Sequence, residues 1–277
     1  MTAESTADRA TRSSIPSGDD KSAVGGAPAV DLAARILKLL TRYRVSEAGL
    51  TLISSELGAP KASCLRVLRT LEGHGFLRLN ADTKKYSLGP YAVVLGARAE
   101  ENVDYLSAIR PILAEAAERT GCTAVLIQQV AANRMMYLAK HEPTSRTRVN
   151  ISIGNRFPIT DVSFGKWLLA YTSAEERETI LADGLRQVTP NTMTDVNIYR
   201  AQLEEIREVG VLVSKEEYVL GVTAISCPIF DVHNKFLGVL AVLGMASAIE
   251  ENLDSVTDQI RLISLDCHLG GAPMTDR

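Results

Sequence analysis

Apolar side chains recur at helical spacing through the first third of the chain and gather into short runs rich in β-branched residues through much of the rest. Leu32, Ile36, Leu39 and Leu40 stand three and four residues apart, which predicts a helix over Val30–Tyr43 with Arg35, Lys38 and Arg42 directed elsewhere. A second helix starts near Thr51, a residue suited to the N-cap, and stops at Gly58. Pro60 suits the first turn of a third helix, where its missing N–H costs little, and that helix runs to His74 and ends at Gly75. Cys64, Leu68 and Leu71 share one of its faces, which leaves Lys61, Ala62, Arg66 and Arg69 largely on the others. Two short strands follow, Phe76–Leu79 and Tyr86–Leu88, joined by a polar turn that ends in Lys84 and Lys85.

Helical spacing resumes through Val93, Val94 and Ala97, predicting a linker helix over Pro90–Glu101 and a further helix over Tyr105–Arg119. After Gly121 the pattern changes. CTAVLIQQV, RMMYLAKH, VLVSKEEY, AISCPIFDV and FLGVLAVLG read as strands. Helices are expected at Ser163–Tyr171, Ala174–Ala182, Val196–Val209 and Ala246–Leu269, with Ser173 and Glu176 forming a capping box. Strands and helices mixed without strict alternation indicate an α+β domain with an antiparallel sheet.

Composition adds boundaries. Residues 1–28 are rich in small and polar side chains and cannot bury enough surface to offset ordering entropy, so a disordered tail is expected, with Arg9, Arg12 and Lys21 its only cations. The tail lacks the apolar centre of a signal peptide, and no apolar run approaches the length of a membrane span, so a cytoplasmic location is expected. Cys64, Cys122, Cys227 and Cys267 are too widely spaced for a zinc cluster, and Cys267–His268 are neighbours that point in different directions on a helix; no metal or other cofactor is expected. The net charge of −3 hides an asymmetry. Residues 29–98 carry eleven basic against five acidic side chains, and residues 99–277 carry sixteen against twenty-four. A basic module on an acidic body suits a protein that docks one end onto a polyanion.

Two helices around a tight Gly-Ala-Pro turn, followed by a basic hairpin, form a winged helix-turn-helix, whose second helix enters the DNA major groove. The candidate DNA-contacting residues are Thr51, Lys61, Ala62, Ser63, Leu65, Arg66 and Arg69, with Lys84 and Lys85 on the wing. Arg66 has the reach and donors for a guanine edge or a phosphate, whereas Lys61 and the wing lysines suit phosphate, which positions without reading sequence. The competing reading makes Arg66 a helix-surface partner of Glu72 or another carboxylate.

Residues 30–270 resemble the IclR-type transcriptional regulators. The resemblance lies in LISSELGAPKASCLRVLRTLEGHGFL with KYSLG, then in DVSFGKWLLA, PNTMTD, EEYVLGVTAISCPIFD and FLGVLAVLG, in that order. It implies a winged helix-turn-helix over 29–89, a linker helix over 90–103 and a GAF-like effector-binding domain over 104–270, which leaves the disordered tail over 1–28 and a flexible end over 271–277 outside it. It implies a homodimer or homotetramer on palindromic operator DNA, governed by a small organic or aromatic acid and acting as a repressor or an activator; a repressor of a catabolic operon is the expectation for this chain. Ala62–Ser63 stand where the family usually has Ser-Thr, and Leu65 where it often has a polar or basic residue, so an atypical base preference is expected.

By motif, the resemblance places the effector against Ser163, Phe164, Val222, Ala224, Ala241 and Leu243. Most of these are apolar. Burying an unpaired carboxylate there is costly, so a larger, less polar and aromatic effector is expected, its acid group held by backbone N–H groups and Ser163. The same residues equally suit a plain core. Gly165–Lys166 is not a P-loop, because Thr160 and Trp167 occupy its first glycine and its hydroxyl position. Gly165 is read as permitting a close backbone approach and Lys166 as a surface cation. An enzyme built on Cys227 or Ser163 with His141 or His233 as base has no recognisable spacing, and a pure interaction scaffold would lack salt-sensitive duplex binding.

Overall fold

The computed structural model describes residues 27–42, 45–101, 104–144 and 148–269. The expectations for the N-terminal tail and its cations, and for residues 271–277, fall outside those residues. The N-terminal unit contains α1 (Pro28–Leu40), β1 (Ala48–Gly49), α2 (Leu50–Leu57), α3 (Lys61–Gly73), β2 (Leu77–Leu79) and β3 (Lys85–Leu88). Ile36, Leu39, Ile53, Cys64, Leu68, Leu77 and Tyr86 close one small core among these elements. Between α2 and α3, Gly58 adopts a left-handed conformation (φ 59°) that a side chain would strain. Ser54 Oγ donates to the Ala59 carbonyl oxygen at 2.7 Å and pins the turn. The Arg35 guanidinium donates to the Leu57 carbonyl at the end of α2. That link ties α1 to the turn and is invisible to any local pattern.

Two details differ from the pattern reading. Strand β1 pairs with β3 to give a three-stranded sheet of order β1-β3-β2. That pairing holds the preceding backbone extended, so Gly49 (φ −79°, ψ 159°) is the N-cap of α2, and Thr51 lies exposed within its first turn.

The linker α4 (Pro90–Glu101) leads into α5 (Asp104–Thr120). The sheet that follows contains β4 (Thr123–Ala131), β5 (Arg134–His141), β6 (Arg156–Pro158), β7 (Leu212–Lys215), β8 (Val222–Phe230) and β9 (Phe236–Met245) in the order β6-β5-β4-β9-β8-β7. All of these pairings are antiparallel. Helices α6 (Phe164–Tyr171), α7 (Ala174–Leu181) and α8 (Val196–Val209) lie between β6 and β7 in sequence, and α9 (Ala246–Glu250) and α10 (Leu253–Ser264) follow β9. One face of the sheet packs on α6 and α8 through Val125, Phe157, Trp167 and Leu203. The other packs on α5 and α10 through Ile109, Leu113, Ile225 and Ile260. Coverage on both faces explains why β8 and β9 are apolar almost without interruption rather than alternating.

The last helix of the pattern reading, Ala246–Leu269, is broken at Glu251–Asn252, where Asn252 leaves helical geometry (φ −131°). Ser173 Oγ accepts from Glu176 N–H at 3.2 Å, one of the two bonds of the expected capping box; the Glu176 carboxylate makes no return bond to Ser173 N–H among the described residues.

Candidate nucleic-acid interface and ligand cavity

Helix α3 buries Cys64, Val67 and Leu68 and turns Lys61, Ala62, Arg66, Arg69 and Thr70 to solvent. Ser63 and Leu65 are half-buried and stand at the edge of that face. Among the described residues, Lys61, Arg66, Arg69 and Lys84 make no ion pair, so the proposed Arg66–Glu72 contact does not form. Burial raises the Cys64 thiol, which keeps a thiolate off this helix.

The wing is shaped by Asn80, whose Oδ1 accepts from the N–H groups of Asp82 and Thr83 at 2.9 and 3.1 Å. Its tip carries Lys84 in a left-handed conformation (φ 54°). Lys85 is tethered differently, with Nζ 2.7 Å from Glu47 Oε1. The two wing lysines are therefore not equivalent.

In the distal unit a cavity of about 240 Å³ opens against the inner face of β7, β8 and β9. Ser163, Phe164, Val222, Ala224 and Leu243 line it. Ala241 does not. It is fully buried, pairs with Ser226 in the sheet, and Trp167 Nε1 donates to Ser226 Oγ at 2.9 Å, so the indole covers that stretch. The remaining wall comes from segments that the motif did not mark, namely Tyr137, the loop of residues 149–155, and Ser214, Glu217 and Tyr218. The expected shortage of side-chain donors is thereby corrected. The hydroxyls of Ser152, Ser163 and Ser214 and the Asn155 amide line the cavity and make no hydrogen bond to another described residue. Burial pushes the Tyr137 and Tyr218 phenols up, so both stay neutral donors at physiological pH.

Lys166 is not on the surface. It is 1% exposed, and its Nζ lies 3.1 Å from Glu217 Oε2 and 5.5 Å from the Tyr199 ring centroid. It thereby neutralises the one carboxylate in the cavity wall. Gly165 does allow a close approach, since a Cβ there would sit 1.9 Å from the Ile159 carbonyl oxygen.

The enzyme candidates do not assemble. Cys227 is fully buried with Sγ 4.0 Å from that of Cys267, whereas His141 ends β5 and His233 sits in the β8–β9 turn. Among the described residues no group of three or more His, Cys, Asp or Glu could hold a metal ion.

Two family models match the chain. The IclR helix-turn-helix domain covers residues 29–81, and the bacterial transcriptional regulator IclR C-terminal region covers residues 97–267. The chain belongs to the IclR family of transcriptional regulators. Members of this family are DNA-binding regulators rather than enzymes, and they bind small-molecule effectors. The HTH-type transcriptional repressor AllR of Escherichia coli K12 is 30% identical over 230 residues, 82% of this chain and 83% of that protein. An IclR-type regulator from Alicyclobacillus acidocaldarius shares the fold with a TM-score of 0.78 at 36% identity, covering 89% of this chain and all of the other. An IclR homologue from Microbacterium hydrocarbonoxydans, in complex with 4-hydroxybenzoate, has the same fold with a TM-score of 0.73 at 19% identity, covering 85% of this chain and 97% of that one. Among the described residues no helix is long and apolar enough to cross a membrane.

Proposed function

We propose that this regulator is a cytoplasmic repressor that releases its operator when a small aromatic acid enters the cavity behind Ser163 and Phe164. The observation that carries the reading is the cavity itself. Its walls combine Tyr137, Phe164 and Tyr218 with unpaired hydroxyls, a lining suited to an aromatic ring bearing polar substituents. The likeness to AllR repressors supports the sign of regulation, and the 4-hydroxybenzoate complex of an IclR homologue supports an aromatic acid as the occupant.

On the DNA side, Arg66 reads a base edge, and Lys61, Arg69 and Lys84 hold phosphates. Thr51, Ala62, Ser63 and Leu65 complete the approach surface, and Lys85 acts through its link to Glu47. Two copies grip a palindromic operator. The exposed apolar residues of α4, Tyr91, Val93, Val94 and Leu95, are the surface we assign to self-association.

Coupling has a short physical route. The loop of residues 149–155 walls the cavity and also touches the N-terminal unit, where a Cβ on Gly154 would lie 3.3 Å from the Thr41 carbonyl oxygen. An effector that favours one position of this loop biases the placement of the basic module by its differential affinity.

The test is fluorescence anisotropy on the protein's own promoter, with and without 4-hydroxybenzoate. A coupling of about 1–3 kcal/mol weakens operator binding ~5–150-fold. Val222→Phe, which fills the cavity, should bind operator normally and ignore the acid. Tighter operator binding with the acid would mark an activator. A full response from Val222→Phe would move the effector elsewhere.

A further inference from the structure

A second cavity, of about 320 Å³, lies between the end of α5, the start of β4, the end of β9 and the α9–α10 junction. It shares only Leu243 with the first. The two differ in charge. The first is lined by no Lys, Arg or His, and its one carboxylate is neutralised by Lys166. The second is lined by two guanidinium groups, Arg119 and Arg148, whose paired carboxylates, Glu115 and Glu142, lie outside the lining.

Both arginines are held in place with donors to spare. Arg119 donates from Nε to Gln259 Oε1 at 2.7 Å and from one terminal nitrogen to Glu115 Oε1 at 2.8 Å. Arg148 Nε lies 3.1 Å from Glu142 Oε2. A guanidinium has five N–H groups, and the other terminal nitrogen of Arg119 and both terminal nitrogens of Arg148 make no hydrogen bond to another described residue. The two terminal nitrogens of Arg148 form a fork that matches a carboxylate, and Arg119 adds a single donor. Ser255, in the first turn of α10, adds a hydroxyl with no partner among the described residues. Cys122, Ile249 and Val256 add a buried apolar patch to this wall, beside the polar groups of Thr120 and Asn252. Burial also raises the Cys122 thiol, so the patch stays neutral.

We propose that this cavity is a second ligand site, which takes a small aliphatic carboxylate with its acid group on Arg119 and Arg148 and its chain against Cys122, Ile249 and Val256. Cations at the rim and an apolar floor select an amphiphilic acid over both a bare anion and a neutral hydrocarbon.

Calorimetric titration of the full chain at constant ionic strength tests this, with acetate, butyrate, hexanoate and inorganic phosphate as probes. Affinity should rise about fourfold for each methylene that becomes buried. Arg148→Gln should weaken hexanoate at least tenfold. Ala248→Phe, a substitution at an exposed position that fills the cavity, should abolish binding, and Val222→Phe, which fills the first cavity, should leave it intact. If Arg148→Gln fails to fold, Ala248→Phe decides alone. Absence of hexanoate binding, hexanoate binding that survives Ala248→Phe, or its loss in Val222→Phe overturns the proposal. Phosphate bound as tightly as hexanoate also overturns it, because the arginines would then act without the apolar floor.

Discussion

Lys166 brings a full positive charge into the interior, and its environment shows how that is tolerated. Glu217 supplies the opposite charge at 3.1 Å, and the Tyr199 ring lies under the ammonium group. Removing one partner strands the other, whereas replacing both with apolar side chains does not. Lys166→Met should therefore lower stability by about 3 kcal/mol in chemical denaturation, and Lys166→Met with Glu217→Leu should recover much of the loss. Equal melts for the single and double variants would show that the pair does not act as a unit. A surface lysine is the ordinary expectation for the Gly-Lys pair because its partner stands 51 residues away, beyond any local spacing. Arg66 is the opposite case. Helical periodicity alone places it on the solvent face of α3, and there it stands without an ion pair. Arg66→Ala should cost about 1–3 kcal/mol of operator affinity and relax preference at one base position. Undiminished affinity would remove it as a base reader.

At the scale of elements, long periodic segments were legible and short ones were not. α3 and α8 carry apolar residues at helical spacing over 13 and 14 residues, enough to fix both identity and buried face. Strands β1 and β6 have two and three residues, too few for any period, and exist because β3 and β5 present paired edges. The break between α9 and α10 has no glycine or proline to announce it. The cavity was half legible for a related reason. The motifs of the family resemblance mark Ser163, Phe164, Val222, Ala224 and Leu243, whereas Asn155 and Ser152 come from a loop outside those motifs. The wing adds a distinction that composition hides. Lys84, with no ion pair among the described residues, should contact a phosphate directly, so Lys84→Ala should reduce the salt slope of operator binding by about 1 for each copy, about 2 in a dimer. Lys85→Ala should change the slope less, since Lys85 is already paired with Glu47. Equal effects at the two positions would mean that the pair with Glu47 opens on DNA.

Over the whole molecule, the charge division is a functional arrangement that any account of affinity must include. Residues 29–98 carry a net +6 and residues 99–277 a net −8. The N-terminal unit is drawn to DNA while the larger unit is repelled by it, so only one end of the molecule approaches a duplex productively. If Lys61, Arg69 and Lys84 each neutralise a phosphate in both copies of a dimer, about six counterions are displaced. The logarithm of affinity then falls with the logarithm of salt at a slope of about −5, and affinity drops about 10³-fold between 50 and 200 mM. With phosphate contacts assigned to the basic unit alone, filling the cavity of the acidic unit should shift this line without tilting it. Titrating operator against salt, with and without 4-hydroxybenzoate, separates the two behaviours. Parallel lines mean that the effector changes the population of the DNA-competent arrangement while the contacts themselves stay the same. A shallower line in the presence of the acid would instead mean that the effector lifts one basic module from the DNA and leaves the other attached.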